Sequence, residues 1–402
     1  MRFSLASDFL GMGFAFGQGR RMCTPGALLA LQRRLGSLRT SAPTQGAAPL
    51  LVNIFVMNPL SSQALAALQR LAQLPRQPLG TWPTPCVPLP RTTAHCGGPR
   101  IWIKRDDCTG LATGGNKTRK LEFLLGEALA QGCDTLISQG ALQSNHARQV
   151  AAAGAVAGLA VHLVLSDAVP GRSADYAQVG NLQLCRLLGA QVECVPGDAD
   201  ADALCAERAA QLRAQGKKPY VIPMGGSNGT GALGYAVAFA EVAAQLQAHG
   251  VQPDALVLAT GSGGTQAGLM LGGWLAGWQG QVYGVSVGPT QAVVQARVQQ
   301  ALAQAAQQLG LPADAGWAQV PLHIDLSCTG PHYGVPDART LQALQWAARQ
   351  EGVVLDPVYS GKGFAGLLQA CAPGGALHAA REVVFVHTGG AAALSAYPEV
   401  GA

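Results

Sequence analysis

Charged residues are scarce in this sequence of 402 residues. They make up 12% of it, about half of their share in an average globular protein, whereas hydrophobic residues make up 49%. This composition argues against a disordered chain and against a coiled coil. It also argues against nucleic-acid binding, because the net charge of +5 arises in residues 1–60, where six arginines face a single acid, Asp8. The remaining 21 basic and 21 acidic residues balance.

Long apolar runs and metal-binding spacings are also missing. The longest apolar candidate, residues 150–165, is broken by Gly154, Gly158 and His162 and falls short of 18 residues, which argues against a membrane span. The ten cysteines include no C-x-x-C pair, and no histidines stand at the spacing of a zinc site. We therefore expect no metal, and thiols that pack as small hydrophobic groups in a reduced, cytoplasmic protein.

The first 56 residues differ from the rest, since they are rich in arginine and nearly free of acids. This composition fits an organellar presequence. It equally fits a start codon placed too early, with Met57 as the true first residue. We favour the second interpretation because residues 59–70 already have leucines at the spacing of an ordinary first helix. An organellar location is expected only if residues 1–56 are a genuine presequence.

The rest of the chain alternates between short apolar strands and helices. The predicted strands are residues 100–104, 135–138, 160–165, 191–195, 219–222, 255–259, 282–287 and 383–387. Five prolines between 81 and 90 predict an extended path at a sheet edge. Alternation of this kind predicts an α/β fold with open parallel sheets covered by helices on both faces. Ligands bind beyond the carboxyl ends of such strands, so the loops there are the candidate site.

Two glycine-rich loops precede helices. In residues 114–122, two glycines let the backbone approach a ligand, and Asn116 stands where a nucleotide-binding loop of the Walker type needs a lysine. In residues 261–268, Gln266 replaces the third glycine of the dinucleotide fingerprint, so its N–H groups and hydroxyls fit one phosphate monoester. Alone, Lys117 also fits a solvated lysine at a helix start, and residues 261–268 also fit a tight turn.

Three further positions complete the candidate site. Ser144 and its neighbours start a helix, where they can hold a carboxylate or serve only as a cap. Tyr333 and Tyr359 stand in turn-like segments, where packing is the alternative to catalysis. A lysine that can form a Schiff base, a phosphate site without a nucleotide fingerprint and a carboxylate pocket together predict pyridoxal phosphate acting on a small amino acid.

Taken in order, these motifs resemble the family of D-cysteine desulfhydrases and aminocyclopropane-carboxylate deaminases. The resemblance runs from about residue 60 to the end and rests on residues 104–107, 114–122, 143–149, 225–235, 261–265, 333–336, 356–362 and 387–390. It implies the tryptophan-synthase β fold type, fold type II of the pyridoxal enzymes. It also implies a larger domain (57–125 and 230–402), a smaller domain (126–229) and a homodimer.

The resemblance also implies roles for individual residues. The implied cofactor-binding residues are Asn116, Lys117 as the Schiff-base lysine, Lys120, Asn145, Ser262, Gly263, Gly264, Thr265 and Ser360. The implied substrate-binding residues are Ser144, Asn145 and His146, and the implied catalytic residues are Lys117, Ser144, Tyr333 and Tyr359. Which of Lys117, Tyr333 and Tyr359 takes the α-proton stays open.

Ser360 separates the two branches of this family. In the deaminase branch a glutamate occupies this position and pairs with the pyridine nitrogen, which strengthens the electron sink. The neutral hydroxyl of Ser360, with Thr388 and His146, implies the desulfhydrase branch. The expected reaction is α,β-elimination of D-cysteine to pyruvate, ammonia and hydrogen sulfide. The alternatives are a lyase for another β-substituted amino acid such as cysteate, a cyclopropane-acid deaminase and, more distantly, a non-catalytic amino-acid-binding protein.

Overall fold

The computed structural model describes residues 61–288 and 290–401, so the two interpretations of residues 1–56 lie outside the described part of the chain. The strands are β1 (Cys86–Pro88), β2 (Arg100–Arg105), β3 (Thr135–Ala141), β4 (Ala160–Asp167), β5 (Gln191–Pro196), β6 (Pro219–Val221), β7 (Ala255–Thr260), β8 (Gln281–Ser286), β9 (Leu322–Asp325) and β10 (Glu382–His387). The helices are α1 (Ser62–Gln73), α2 (Pro90–Cys96), α3 (Lys117–Ala130), α4 (Asn145–Ala157), α5 (Gly180–Leu187), α6 (Ala201–Ala214), α7 (Gly229–Gln247), α8 (Gly264–Leu275), α9 (Gln291–Gln308), α10 (Ala338–Glu351) and α11 (Ser360–Cys371).

The strands form two sheets. The six-stranded sheet has the order β1-β2-β10-β7-β8-β9, and the four-stranded sheet has the order β5-β4-β3-β6. Neighbouring strands are parallel throughout, except that β1 pairs antiparallel with β2. β1 lies at the edge, where its proline costs no ladder hydrogen bond. The α/β fold with parallel sheets and covering helices is thus confirmed.

Two local features go beyond the sequence pattern. The predicted first helix begins at Ser62, because the hydroxyl of Ser61 accepts a hydrogen bond from Ala64 N at 3.1 Å. The strand β9 was not predicted. Its four residues are all half-buried, so they show neither the apolar run of a central strand nor a clean alternation.

Small residues let the helices of the larger sheet pack closely. A side chain at Gly268 would meet the carbonyl oxygen of Ala232 at 2.1 Å, and one at Gly272 would meet the Cβ atom of Phe239 at 2.6 Å. Helices α7 and α8 therefore pack against each other through backbone and small side chains. Beneath them, β7 and β10 are buried along their whole length. No helix in the described ranges is long and apolar enough to cross a membrane.

Candidate active site

The loop before α3 presents Lys117 at the first position of the helix. Gly114 must be glycine, because its φ is +74° and a side chain there would lie 1.9 Å from the carbonyl oxygen of Asp107. Lys117 Nζ donates to Asn116 Oδ1 at 2.8 Å and lies 5.7 Å from the ring centroid of Tyr359. Burial lowers the pKa of Lys117 to about 8, although the nearby Asp356 opposes this shift. The amine is therefore close to being a base at neutral pH.

The loop before α8 lies next to the lysine loop. Gly263 adopts a φ of +82°, and the helix follows directly, so the N–H groups of its first turn have no acceptor within the helix. Thr265 Oγ1 accepts from Asn116 Nδ2 at 3.1 Å. Ser262 Oγ lies 2.8 Å from Ser227 Oγ, which accepts from Lys120 Nζ at 2.9 Å. The two predicted loops thus meet, and Ser227, which was not predicted as a site residue, connects them.

Lys120 is a buried cation without an acidic partner. Its Nζ also donates to the carbonyl oxygen of Gly225 at 3.1 Å, and no carboxylate within 61–288 or 290–401 forms an ion pair with it. Burial, reinforced by Lys117, lowers its pKa well below the usual value. A phosphate would neutralise this charge. Hydroxyls, helix N–H groups and an ammonium therefore fit the phosphate of pyridoxal phosphate, and the Lys117 amine beside them fits its aldehyde.

The start of α4 brings together three predicted residues from the smaller sheet. Ser144 caps the helix by accepting from Ala147 N at 3.1 Å. Asn145 Oδ1 accepts from Asn181 Nδ2 at 2.9 Å, which fixes its carboxamide. His146 Nε2 lies 2.9 Å from Ser138 Oγ. Burial, with the cations Lys117 and Lys120 nearby, lowers the pKa of His146 well below its usual value, so the imidazole is neutral at pH 7.

Arg148, which sequence reasoning did not include in the site, ties this helix start to the lysine loop. Its guanidinium donates to Asn145 Oδ1 at 3.2 Å, to Asn181 Oδ1 at 2.8 Å and to the carbonyl oxygen of Gly114 at 2.5 Å. The side chain is fully buried. The position of Asn145 is therefore coupled to the backbone that carries Lys117. No sequence signal marks this role, because it depends on contacts between distant segments.

The two predicted tyrosines contact each other. Their Oη atoms are 2.5 Å apart, and their rings meet edge to face with centroids 6.0 Å apart. Burial, together with the neighbouring phenol or carboxylate, raises the pKa of both Tyr333 and Tyr359. Both phenols therefore stay protonated at neutral pH and can donate a proton.

Ser360 is not an isolated hydroxyl. Its Oγ donates to Asp356 Oδ1 at 2.6 Å and accepts from the backbone N of Asp356 at 2.8 Å. The Asp356 carboxylate also accepts from the backbone N–H groups of Val358, Tyr359 and Ser360. The hydroxyl hydrogen of Ser360 is thus held by a buried carboxylate. Sequence reasoning missed this carboxylate, although it stands in the same motif.

A lysine at a helix start beside a glycine-rich phosphate cradle, on two parallel sheets, defines a class of protein: an enzyme that uses pyridoxal phosphate. Residues 78–389 match the family model described as pyridoxal-phosphate dependent enzyme. The chain is 42% identical to a D-cysteine desulfhydrase of Serratia proteamaculans, over 83% of this chain and 99% of that protein. It is also 42% identical to a D-cysteine desulfhydrase of Klebsiella pneumoniae, over 82% and 98%.

Solved structures agree. The crystal structure of a homologue of aminocyclopropane-carboxylate deaminase superposes with a TM-score of 0.73 at 35% identity, over 82% of this chain and 99% of that one. A bacterial-type threonine deaminase shares the fold at 19% identity, with a TM-score of 0.54 over 83% of this chain and 98% of that one. The chain therefore belongs to the pyridoxal-phosphate dependent enzymes and, within them, to the family of D-cysteine desulfhydrases and aminocyclopropane-carboxylate deaminases. The family and the cofactor predicted from the motifs are confirmed.

Proposed function

We propose that this protein is a pyridoxal-phosphate-dependent carbon–sulfur lyase that converts D-cysteine and water into pyruvate, ammonia and hydrogen sulfide. The observation that carries the proposal is the apposition of Lys117, whose amine has a lowered pKa, with the Tyr333–Tyr359 pair. One group accepts a proton and the other pair supplies one, as an elimination requires. The likeness to two D-cysteine desulfhydrases along nearly their whole length supports the choice of substrate.

Cofactor binding is assigned to the residues around α3 and α8. Lys117 would hold the cofactor, Lys120 and residues 262–265 its phosphate, and Asn116 and Asn145 its ring. Bound pyridoxal phosphate supplies the electron sink for the electrons of the substrate Cα–H bond. Ser360 would face the pyridine side, where its hydroxyl, already donating to Asp356, has only a lone pair to offer.

Proton transfer is assigned to Lys117 and the tyrosines. Lys117 has the only lowered pKa of the three open candidates, so we assign it the removal of the α-proton. Tyr333 and Tyr359 share a short hydrogen bond and stay protonated, so one of them protonates the departing sulfur while the other stabilises the phenolate that results.

The start of α4 is the proposed site of the substrate carboxylate. The helix N-terminus supplies N–H groups, and Ser144 and Asn145 supply polar side chains whose positions are fixed by Ala147 and Asn181. His146 is neutral, so it contributes hydrogen bonding and shape to this end of the site without adding charge.

The larger-scale proposals follow the family. We propose a homodimer, with a larger domain of residues 57–125 and 230–402 and a smaller domain of residues 126–229. The strands of the four-stranded sheet all fall within residues 135–221, which supports this division. A cytoplasmic location is supported by the nine described cysteines, all of which are free thiols. Sedimentation equilibrium of the purified protein tests the dimer.

The first experiment is a substrate panel with the purified holoenzyme. D-Cysteine, L-cysteine, cysteate and the cyclopropane acid are assayed side by side, with pyruvate followed for the first three and 2-oxobutyrate for the last. The expected result is pyruvate from D-cysteine and no 2-oxobutyrate. Release of 2-oxobutyrate would assign the chain to the deaminase branch, and pyruvate from cysteate alone would make it a lyase for that acid. A Ser360→Glu variant is a poor test, because it places a second carboxylate beside buried Asp356.

A further inference from the structure

Lys362 is a second buried lysine without an acidic partner, and none of the proposed chemistry uses it. Its side chain is fully buried. Its Nζ contacts three main-chain carbonyl oxygens: that of Thr329 at 2.5 Å, that of Val287 at 3.2 Å and that of His332 at 3.3 Å. No carboxylate in the described ranges pairs with it.

The three carbonyl oxygens fit the charged form of this lysine. An ammonium has three N–H donors and no acceptor, so it can satisfy all three oxygens at once. A neutral amine has only two N–H donors and would direct its lone pair at the third oxygen. Rings of main-chain carbonyls are also the ligands that bind K⁺ in place of its water. The cage is thus a site for a monovalent cation, filled by a cation that is attached to the chain.

The cage joins the segments that carry the two tyrosines. Lys362 lies in the first turn of α11, three residues after Tyr359, and His332 directly precedes Tyr333. The third ligand, Val287, follows β8, and the next residue, Gly288, packs against Tyr333, whose Cβ would lie 3.3 Å from an added side chain. One ammonium thus bonds to both segments and to the end of the central sheet.

The loop between Thr329 and Tyr333 is shaped around this nitrogen. Gly330 has a φ of +71°, and a side chain there would lie 2.8 Å from the carbonyl oxygen of Val335 and 3.2 Å from Lys362 Nζ. His332 and Val335 form an isolated antiparallel bridge that closes the turn. The loop has few backbone contacts of its own beyond this bridge and the bond from Thr329 N to Leu326 O, so the ammonium supplies much of its support.

We propose that Lys362 is a positioning residue which acts as a tethered monovalent cation and holds Tyr333 against Tyr359. The inference rests on the proposed role of the two tyrosines in proton transfer. Its consequence is that the enzyme needs no added K⁺, because the chain brings its own cation to the carbonyl cage.

Two variants test the proposal. Lys362→Ala removes the ammonium and leaves a space, whereas Lys362→Met removes the charge but fills the same space. Turnover of D-cysteine is measured in a choline buffer and then with added NH₄⁺, K⁺ or Li⁺. We expect both variants to lose kcat on the order of 100-fold with little change in KM, because misplaced reacting groups cost about this much.

Rescue separates positioning from a merely structural role. NH₄⁺ and K⁺ are expected to restore at least tenfold of the lost kcat in Lys362→Ala, saturably, and to leave Lys362→Met and the unmodified enzyme unchanged. An unreduced kcat in Lys362→Ala, or a loss in the folded variant that no cation restores, would overturn the proposal.

A measurement without turnover keeps the test independent of substrate and of the folding of the alanine variant. Amide hydrogen exchange in residues 329–335 is compared between the unmodified protein and Lys362→Met, with α8 as the internal reference. We expect exchange in 329–335 to become at least tenfold faster while α8 is unaffected. Unchanged exchange would refute the cage even if D-cysteine is turned over. Faster exchange in a protein that is inert toward D-cysteine would instead leave the cage standing and reject the proposed function.

Discussion

The two faces of helix α3 treat buried positive charge in opposite ways. On one face, the guanidinium of Arg119 binds Asp106 through two hydrogen bonds of 2.7 and 2.8 Å and binds Glu241 through two more of 2.9 and 3.1 Å. Lys104 Nζ adds a further bond to Glu241 at 2.5 Å. All four side chains are buried, and each charge has partners of the opposite sign.

On the other face, Lys117 and Lys120 have only neutral hydrogen-bond partners. They contact a carboxamide, a hydroxyl and a carbonyl oxygen, and the charge of Lys117 further lowers the pKa of Lys120. A buried charge without a partner is costly, so a fold keeps one where a ligand supplies the partner. The comparison teaches that the paired cation of α3 holds the helix in place, and that the unpaired cations next to it are reserved for the cofactor.

The largest effect is expected from Lys117→Ala. The variant loses the proposed proton acceptor and the group that holds the cofactor, so pyruvate release from D-cysteine should fall by roughly 10³–10⁴-fold. The protein without cofactor should melt no lower than the unmodified one, because an unpaired cation has been removed. Activity within tenfold of the unmodified enzyme would show that Lys117 is not the central residue of the site.

Breaking the paired face should have the converse result. Asp106→Ala leaves Arg119 buried with part of its charge uncompensated, and removing one partner of a buried pair costs about 3–5 kcal/mol of unfolding free energy. Urea unfolding without cofactor measures this loss. The matched control is Glu193→Gln, which breaks an exposed pair with Arg208 and should change the stability by about 1 kcal/mol or less. Equal losses in the two variants would remove the distinction between the faces.

A smaller effect is expected from Lys120→Met, and it appears only with a ligand. Inorganic phosphate should raise the melting temperature of the unmodified protein without cofactor, because a ligand that binds the folded state stabilises it. The variant, which lacks the ammonium beside Ser227 and Ser262, should show little or none of this rise. A full response to phosphate in the variant would mean that the N–H groups of α8 are sufficient.

What could be predicted from the sequence depended on local patterns. Buried parallel strands such as β7 and β10 show as apolar runs, and Lys117 shows because a glycine pair and a helix start frame it within a few residues. The short, half-buried β9 offered no such pattern. The links from Lys120 to Ser227, across 107 residues, and from Lys362 to His332 depend on tertiary packing, which no single-sequence pattern encodes.

The smallest expected effect is a difference in pH dependence that reports on the unpaired face. Burial lowers the pKa of Lys117 from its usual 10.5 to about 8, so between these values the folded protein binds fewer protons at this site than the unfolded chain does. The contribution of Lys117 to the unfolding free energy should therefore rise with pH across this window.

Buried thiols such as those of Cys185 and Cys371, whose pKa values are raised to about 12, act in the opposite direction above pH 9. They are present equally in a Lys117→Met variant, so they cancel when the two proteins are compared. Urea unfolding without cofactor, at intervals from pH 7 to 10, should give a stability difference that is flat below pH 8 and then moves in favour of the unmodified protein. A difference that stays flat to pH 10 would mean that Lys117 keeps an ordinary pKa, and the contrast between the two faces of α3 would then rest on Lys120 alone.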